Sequence, residues 1–190
     1  AMNFNILIKK VEGCYIAHCL ELDIVTTSNT KTEVSKDIID LIQAAVDYAF
    51  AHDNLDHLFR PAPSSVWEEF YRCKDFIEKK SRIESRFKDY KPKAFVPPWV
   101  ITRMCCAGPL MPRKPLQLRD LLKKLRNHGI EVLRKRGKGS EIILLKPNEP
   151  GSRKGPQYPV KNHGMSTEIS IPVINKILER FEIPDNDFWD

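Results

Sequence analysis

The chain has 190 residues, of which 42% are hydrophobic and 29% are charged, and its formal net charge at neutral pH is +6. This length can hold one large core or two small ones, since stable domains range from about 60 to about 200 residues. No apolar run approaches the roughly 18 residues that a membrane span needs. The amino terminus also lacks the basic and apolar regions of a secretory signal. The sequence therefore predicts a globular protein of the cytoplasm with no membrane contact.

The charge changes sign along the chain. Residues 1–65 carry 5 basic and 9 acidic side chains, whereas residues 113–190 carry 16 basic and 10 acidic ones. Between positions 113 and 161 alone, 14 basic side chains stand against 4 acidic ones, a pattern typical of a surface that meets phosphates. A merely solvated basic face is the alternative interpretation of the charge.

The five cysteines favour reduced thiols. Their number is odd, and no CxxC pair is matched to a second cysteine or histidine pair, as a zinc site would require. We therefore expect no disulfide, no metal site and no cofactor.

The first 65 residues predict three strands followed by a helix. Alternating apolar residues over 4–8, a turn signal at 12–13 and a second extended run over 14–19 indicate a β-hairpin. A third β-prone run at 24–27 leads into Thr30-Lys31-Thr32-Glu33, a capping box that begins a helix. Apolar residues then recur at helical spacing, so that one face of the helix packs on the strands. The polar residues on its other side are Lys36, Asp37, Asp40 and Asp47.

Residues 66–115 are interpreted as a helix and a proline-rich linker. The spacing of apolar residues from Val66 to Phe87 predicts a long, charged helix. Six prolines between Lys91 and Pro115 exclude regular helix and favour an extended, semi-rigid chain. Because the middle of this stretch is too apolar for a free linker, we expect Trp99 to be docked on one of the domains.

The last segment, 116–190, predicts the order α-β-β-β-α, which is the plan of double-stranded RNA-binding domains. A stripe of leucines marks the first helix, and Gly129 suits the left-handed backbone that ends it. Ser170 is the expected N-cap of the last helix. The whole chain is therefore predicted to be an α+β protein of two units. The predicted elements of the second unit are a helix over 118–128, strands at 130–135, 141–146 and about 157–161, and a helix over 171–181.

The hairpin between the first two strands of this unit is the predicted phosphate-binding element. Its glycines allow the backbone amides and the long cationic side chains to approach a phosphodiester chain. A plain solvated loop is the alternative. The predicted RNA-binding residues are Arg134, Lys135, Arg136, Lys138 and Ser140.

Two groups in the first unit could be mistaken for catalytic sites. His18 and Cys19 are neighbours on a predicted strand and so point to opposite faces, which excludes joint action on one substrate. Four carboxylates lack a readable metal-binding spacing, and they favour solubility or contact with a basic partner. They are Glu12, Glu21, Asp23 and Asp37.

The C-terminal residues resemble the HicA family, the small toxin ribonucleases, or mRNA interferases, of bacterial toxin–antitoxin pairs. The resemblance implies a fold like that of double-stranded RNA-binding domains and RNA cleavage without a metal. It rests on Leu121-Leu122-Lys123-Lys124, His128-Gly129-Ile130, Gly139-Ser140, the run from Tyr158 to Gly164, Glu168-Ile169, and Ile174 to Leu178.

The N-terminal residues resemble the HicB antitoxin family. The resemblance implies a truncated ribonuclease-H-like β-β-β-α core that has no ribonuclease activity of its own and is often part of an oligomer. HicB proteins usually continue into a DNA-binding segment, which is replaced here by the proline-rich stretch, so operator binding is not expected. The matching residues are 5–9, Tyr15-Ile16-Ala17, Leu20 to Asp23 and Thr30 to Glu33.

The chain departs from the HicA pattern at one position. The family resemblance assigns the key catalytic role to a histidine directly after Gly-Ser, and this chain has Glu141 there. Histidine exchanges protons near neutral pH, whereas glutamate is a weaker base and its charge repels a phosphate. His163 matches a family histidine near the third strand and is the second catalytic candidate. His128, at the end of a helix, is interpreted as structural.

Three functional hypotheses follow from these resemblances. The leading one is a self-neutralised fusion, in which the HicA-like unit binds RNA, the HicB-like unit restrains it, and ribonuclease activity is lost or weak. An active mRNA interferase held in check by its fused antitoxin is the second, and a non-catalytic module that binds a toxin or antitoxin in trans is the third. RNA is one expected partner. Each unit is also expected to contact the other, either within one chain or swapped between two chains. A homodimer is implied only by the resemblance to HicB.

Overall fold

The computed structural model describes residues 1–11, 13–74, 76–82, 99–107, 115–134 and 140–189. Within them the chain is a mixed α+β protein with a five-stranded sheet, a three-stranded sheet and five α-helices. None of the helices in these ranges combines the length and the apolar character that a bilayer crossing requires.

The first sheet forms from both the amino-terminal and the middle residues. An antiparallel meander of three strands is followed by a long helix and, after a short one, by two further strands. The strand order is β3-β2-β1-β5-β4, and β5 runs parallel to β1. These elements are β1 (Met2–Val11), β2 (Cys14–Cys19), β3 (Ile24–Ser28), α1 (Lys31–Ala51), α2 (Ser64–Arg72), β4 (Ile77–Arg82) and β5 (Trp99–Ala107).

The middle of the chain differs from its prediction. The helix predicted to continue toward Phe87 ends at Arg72, because Cys73 has extended backbone, and residues 77–82 form β4 instead. The apolar residues around Trp99 belong to β5, which is hydrogen-bonded between β1 and β4. Residues 83–98 and 108–114, which include the end of the predicted helix and most of the proline-rich stretch, lie outside the described residues.

The second unit has the predicted order of elements. Helix α3 is followed by the antiparallel sheet β7-β8-β9 and by helix α4, and a two-residue pair, β6 with β10, joins the starts of the two helices. The predicted helix ends are confirmed: Thr30 caps α1 by accepting from the amide of Glu33, Ser170 precedes α4, and Gly129 has φ +75°. The elements are β6 (Leu116–Gln117), α3 (Leu118–Asn127), β7 (Glu131–Arg134), β8 (Glu141–Leu145), β9 (Gln157–Lys161), β10 (Glu168–Ile169), α4 (Ile171–Phe181) and α5 (Asp185–Trp189).

Helix α1 contacts both sheets. Its apolar stripe, including Ile38 and Ile42, covers the first sheet, as predicted. Its other side does not face solvent, because Ala44 and Tyr48 pack against Ile143 of β8. Helix α2 covers part of the opposite face of the first sheet, and α3 and α4 cover the far face of the second. The two sheets therefore share one helix, and one cluster of buried apolar side chains includes residues of both sheets.

Candidate functional site

A groove of about 800 Å³ opens where the two sheets approach each other. One wall is the end of β3 and the beginning of α1, and the other is the end of β9 with β10 and the beginning of α4. Thr27 donates a hydrogen bond across the groove to Ser170 (3.1 Å). The walls combine apolar side chains with polar ones such as Thr27, Asp37 and Ser170, so the groove can hold water or a ligand that has polar groups.

Lys161 is buried beside this groove with carboxylates from both units. Its ammonium lies 3.2 Å from Asp37 and 2.9 Å from Asp40, both on α1, and 3.0 Å from Glu141 on β8. Asp40 and Glu141 each accept a hydrogen bond from this ammonium, and Asp37 is an ion-pair partner. Ser28 also donates to Asp37 at 2.7 Å, which fixes that carboxylate. We call these four charged residues, Lys161, Asp37, Asp40 and Glu141, the Lys161 cluster.

The charges of the Lys161 cluster do not balance. One ammonium faces three carboxylates, so the ionised cluster has a net charge of −2 and repels a phosphate. Burial alone would lower the pKa of Lys161, but its hydrogen bonds and charge attraction with Asp40 and Glu141 outweigh burial and raise that pKa. Lys161 is therefore a permanent cation whose hydrogen bonds hold β9 against α1. It is not a proton donor or acceptor near neutral pH.

The structure brings two of the predicted site residues, Glu141 and Ser140, together at Lys161 and leaves His163 exposed. Glu141 is only 4% exposed and its carboxylate is hydrogen-bonded to Lys161. His163 is exposed at the edge of the groove, and Ser140 is half-buried, with its hydroxyl 3.5 Å from the ammonium of Lys161. The backbone of Arg134 ends β7. The remaining predicted RNA contacts, Lys135, Arg136 and Lys138, lie outside the described residues.

A second set of contacts joins β3 to the other unit. The Tyr158 hydroxyl accepts from the amide of Val25 (2.8 Å) and donates to its carbonyl (3.2 Å). Burial raises the pKa of Tyr158 well above its usual range, which keeps the hydroxyl able to donate. Arg180 is buried nearby and donates to the backbone carbonyls of Leu22 and Gln157, one in each unit. The Tyr158 hydrogen bonds satisfy backbone groups of Val25 at the edge of β3, and Arg180 connects the loop before β3 to β9.

Asp23 is the centre of a smaller buried ion cluster. One of its carboxylate oxygens lies 2.6 Å from His18, and the other lies 3.2 Å from Lys176 on α4. His18 is thus paired with Asp23 and not with Cys19, consistent with the structural role predicted for it. Burial alone would raise the pKa of Asp23, but hydrogen bonding to His18 and attraction to Lys176 outweigh burial and leave that pKa below its usual value.

Asp23→Asn is expected to lower the free energy of unfolding by about 1 to 3 kcal/mol at pH 7, because it removes the charge that Lys176 and His18 contact. Since the pKa of Asp23 is lower in the folded chain, its stabilisation is complete above the unfolded value of about 4 and disappears as the pH falls through the folded value. Urea unfolding of the parent and the variant should therefore converge as the pH is lowered.

Asp53→Asn is the matched control for this pH dependence. Asp23 and Asp53 both have φ +51°, which asparagine tolerates, and each is paired with a lysine. The Asp53 pair with Lys154 is exposed, so its loss should cost less than about 1 kcal/mol. Equal losses in the two variants would contradict the role assigned to burial at Asp23.

The sequence did not predict that Lys161, Asp40 and Tyr158 form contacts between the two units. Asp37 and Asp40 were visible as a polar pair three residues apart on α1, and Lys161 as the last residue of a strand. No local pattern links these positions, because their contact depends on how the two sheets pack. Among the described residues, no three histidine, cysteine or carboxylate side chains are grouped so as to hold a metal ion.

Comparison with known proteins identified no relative of this chain. No family model matches the chain, and no match was found among curated proteins or among solved structures.

Proposed function

We propose that this chain is a fused protein of the toxin–antitoxin type, in which a HicA-like unit binds RNA and a HicB-like unit restrains it in the bacterial cytoplasm. The order β1-β2-β3-α1 supports the HicB-like half, and the order α3-β7-β8-β9-α4 supports the HicA-like half. The strands β4 and β5 extend the first sheet beyond the predicted antitoxin core of residues 1–65.

The position of Glu141 carries this proposal. The resemblance places the catalytic histidine of the family here, and the side chain is buried under α1 with its carboxylate on Lys161. A general acid or base must come within hydrogen-bond reach of the ribose or the leaving oxygen. Glu141 cannot do so while α1 covers it. Ribonuclease activity is therefore lost or weak in the assembled chain.

The contacts of the Lys161 cluster and of Tyr158 support restraint within one chain. Asp37 and Asp40 bring negative charge from the first unit directly to the base of the predicted RNA-binding hairpin, where it opposes phosphate. The rigid attachment of β9 to α1 and β3 also limits movement of the second sheet. The sequence also predicts that two chains exchange units or form a homodimer, and both of these remain predictions.

Glu141→His in the full chain is expected to leave RNA uncleaved, because the new imidazole would occupy the same buried position. The measurement is incubation of purified protein with end-labelled mixed-sequence RNA, read on a denaturing gel. Glu149→His, on an exposed turn, is the matched control and should be equally inactive.

Two results would contradict this proposal. Cleavage by Glu141→His but not by Glu149→His would show that position 141 reaches RNA in the assembled chain. Cleavage already present in the parent protein would favour the active interferase instead.

A further inference from the structure

The described residues cover only part of the face of the first sheet opposite α1. Helix α2 packs on Leu7 and Cys105 at one end of it. On β5, Val100, Thr102 and Met104 are buried toward α1, so Ile101 and Arg103 lie on the opposite face. Ile101 is half-buried and Arg103 is exposed, and no helix of the described chain covers this half of the sheet.

The half of the sheet that the described residues leave open has an excess of cations. The strand register places Lys80 beside Ile101 and Arg82 beside Trp99, on the same face as Arg103, and it places one carboxylate, Glu78, beside Arg103. Lys80, Arg82 and Arg103 are all exposed. We call these three residues the β4 face. Residues 71–82 contain 5 basic and 2 acidic side chains, in contrast to the acidic residues 1–65 on which the sheet begins. This local excess of cations is suited to a polyanion.

Aromatic side chains adjoin the β4 face. The guanidinium of Arg103 lies 3.8 Å from the centre of the Phe76 ring, which holds this cation in place. Phe76 packs on Phe70, and Phe70 packs edge-to-face on Tyr71. Tyr71 is 70% exposed and stacks on Trp67 with ring centres 6.0 Å apart. A continuous series of ring contacts therefore leads from an ordered cation to an open aromatic surface.

We propose that the β4 face and Tyr71 together bind single-stranded nucleic acid. The cations would contact successive phosphates, and the open ring of Tyr71 would stack on a base, the two contacts that single-strand binding surfaces combine. This site lies on the first unit and is separate from the hairpin to which the proposed function assigns RNA contact.

Protection of a sheet edge does not explain this surface by itself. Lysines on an exposed edge strand such as β4 do prevent edge-to-edge pairing. An edge suited only to that purpose would not also have a large exposed ring beside it, yet Tyr71 is 70% exposed. An exposed ring next to cations is better explained by a partner that has both phosphates and ring faces.

The test uses the full chain and a fluorescein-labelled oligouridylate of twelve nucleotides, with binding followed by anisotropy. To separate the two surfaces, the hairpin cations are first neutralised by replacing Arg134, Lys135, Arg136 and Lys138 with glutamine. In this background we expect Tyr71→Ala to weaken binding about 5- to 100-fold. Arg82→Gln with Arg103→Gln should reduce the salt dependence of log Kd by about 1.4, or about 0.7 for each phosphate that no longer meets a cation.

Lys10→Gln with Lys31→Gln is the matched control, since it removes two exposed lysines from elsewhere on the first unit. Its binding should stay within about twofold of the background protein, and urea midpoints should show that every variant is folded. The proposal is overturned if the control loses as much affinity as the β4 variants. It is also overturned if Tyr71→Ala binds normally, because the surface would then be a general polyanion site.

Discussion

Lys161→Met is expected to lower the free energy of unfolding by about 3 to 5 kcal/mol, the usual cost of removing one partner from a buried ion pair. The substitution leaves Asp37, Asp40 and Glu141 close together without their cation. Methionine fills most of the volume of the lysine stem, so the loss reports charge rather than a cavity. Urea unfolding at neutral pH measures it.

Two further variants identify the cause of this loss. Lys154→Met breaks a lysine–aspartate pair of similar length, 2.8 Å, on the surface and should cost less than about 1 kcal/mol. Adding Asp37→Asn, Asp40→Asn and Glu141→Gln to Lys161→Met should restore most of the stability, because no buried charge then lacks a partner. If this combined variant is no more stable than Lys161→Met alone, the loss comes from packing and not from charge.

The same variant bears on the proposed restraint. Lys161→Met weakens the attachment of β9 to α1, so the fraction of chains with a separated second unit rises. Under the proposed function, RNA affinity increases with that fraction, since only the separated state presents the whole hairpin base. Unchanged RNA affinity in a measurably less stable chain would argue against restraint by this contact.

Elements with local signals could be predicted from the sequence. The capping box at Thr30 and the glycine at position 129 act within a few residues, and the structure confirms both. It also confirms strand β1, although Leu7 is buried as well as Ile6 and Ile8, so the burial does not alternate. The elements that were missed depend on distant partners. Strand β4 has neither a buried face nor alternation, and it exists because β5 pairs with it; β5 in turn depends on parallel pairing with β1.

Only part of the candidate site could be predicted from the sequence, because the rest also depends on residues that are distant in the chain. Glu141 was identified by its position after Gly-Ser, but its burial depends on α1 having a second buried side. The sequence of α1 shows Asp37, Asp40 and Asp47 on that side, which is the usual pattern of a solvated face. In the structure Asp37 and Asp47 are buried, and Asp37 pairs with Lys161 of the second sheet. A one-sided amphipathic pattern cannot predict a helix whose polar side is covered by another unit of the same chain.

Tyr158→Phe is expected to lower the free energy of unfolding by about 2 to 4 kcal/mol, although it removes a single oxygen atom. The hydroxyl is the partner of both the amide and the carbonyl of Val25, on the outer edge of β3. Both residues are buried, so the two backbone groups would be left without a partner, at about 1 to 3 kcal/mol for each. Tyr71→Phe makes the same chemical change on an exposed ring and should alter stability by less than about 0.5 kcal/mol.

Hydrogen exchange shows where the effect of Tyr158→Phe acts. The amide of Val25 donates to the Tyr158 hydroxyl, so its exchange should accelerate in the variant. The amides of β1 that pair with β2 lie away from the contact between the units. Their exchange rates should therefore change only as far as global stability changes. Faster exchange confined to β3 would mean that Tyr158 holds the two sheets together at this edge. A uniform change across the first sheet would instead mean that the two units unfold as one, and that the contact cannot open separately to release the second unit.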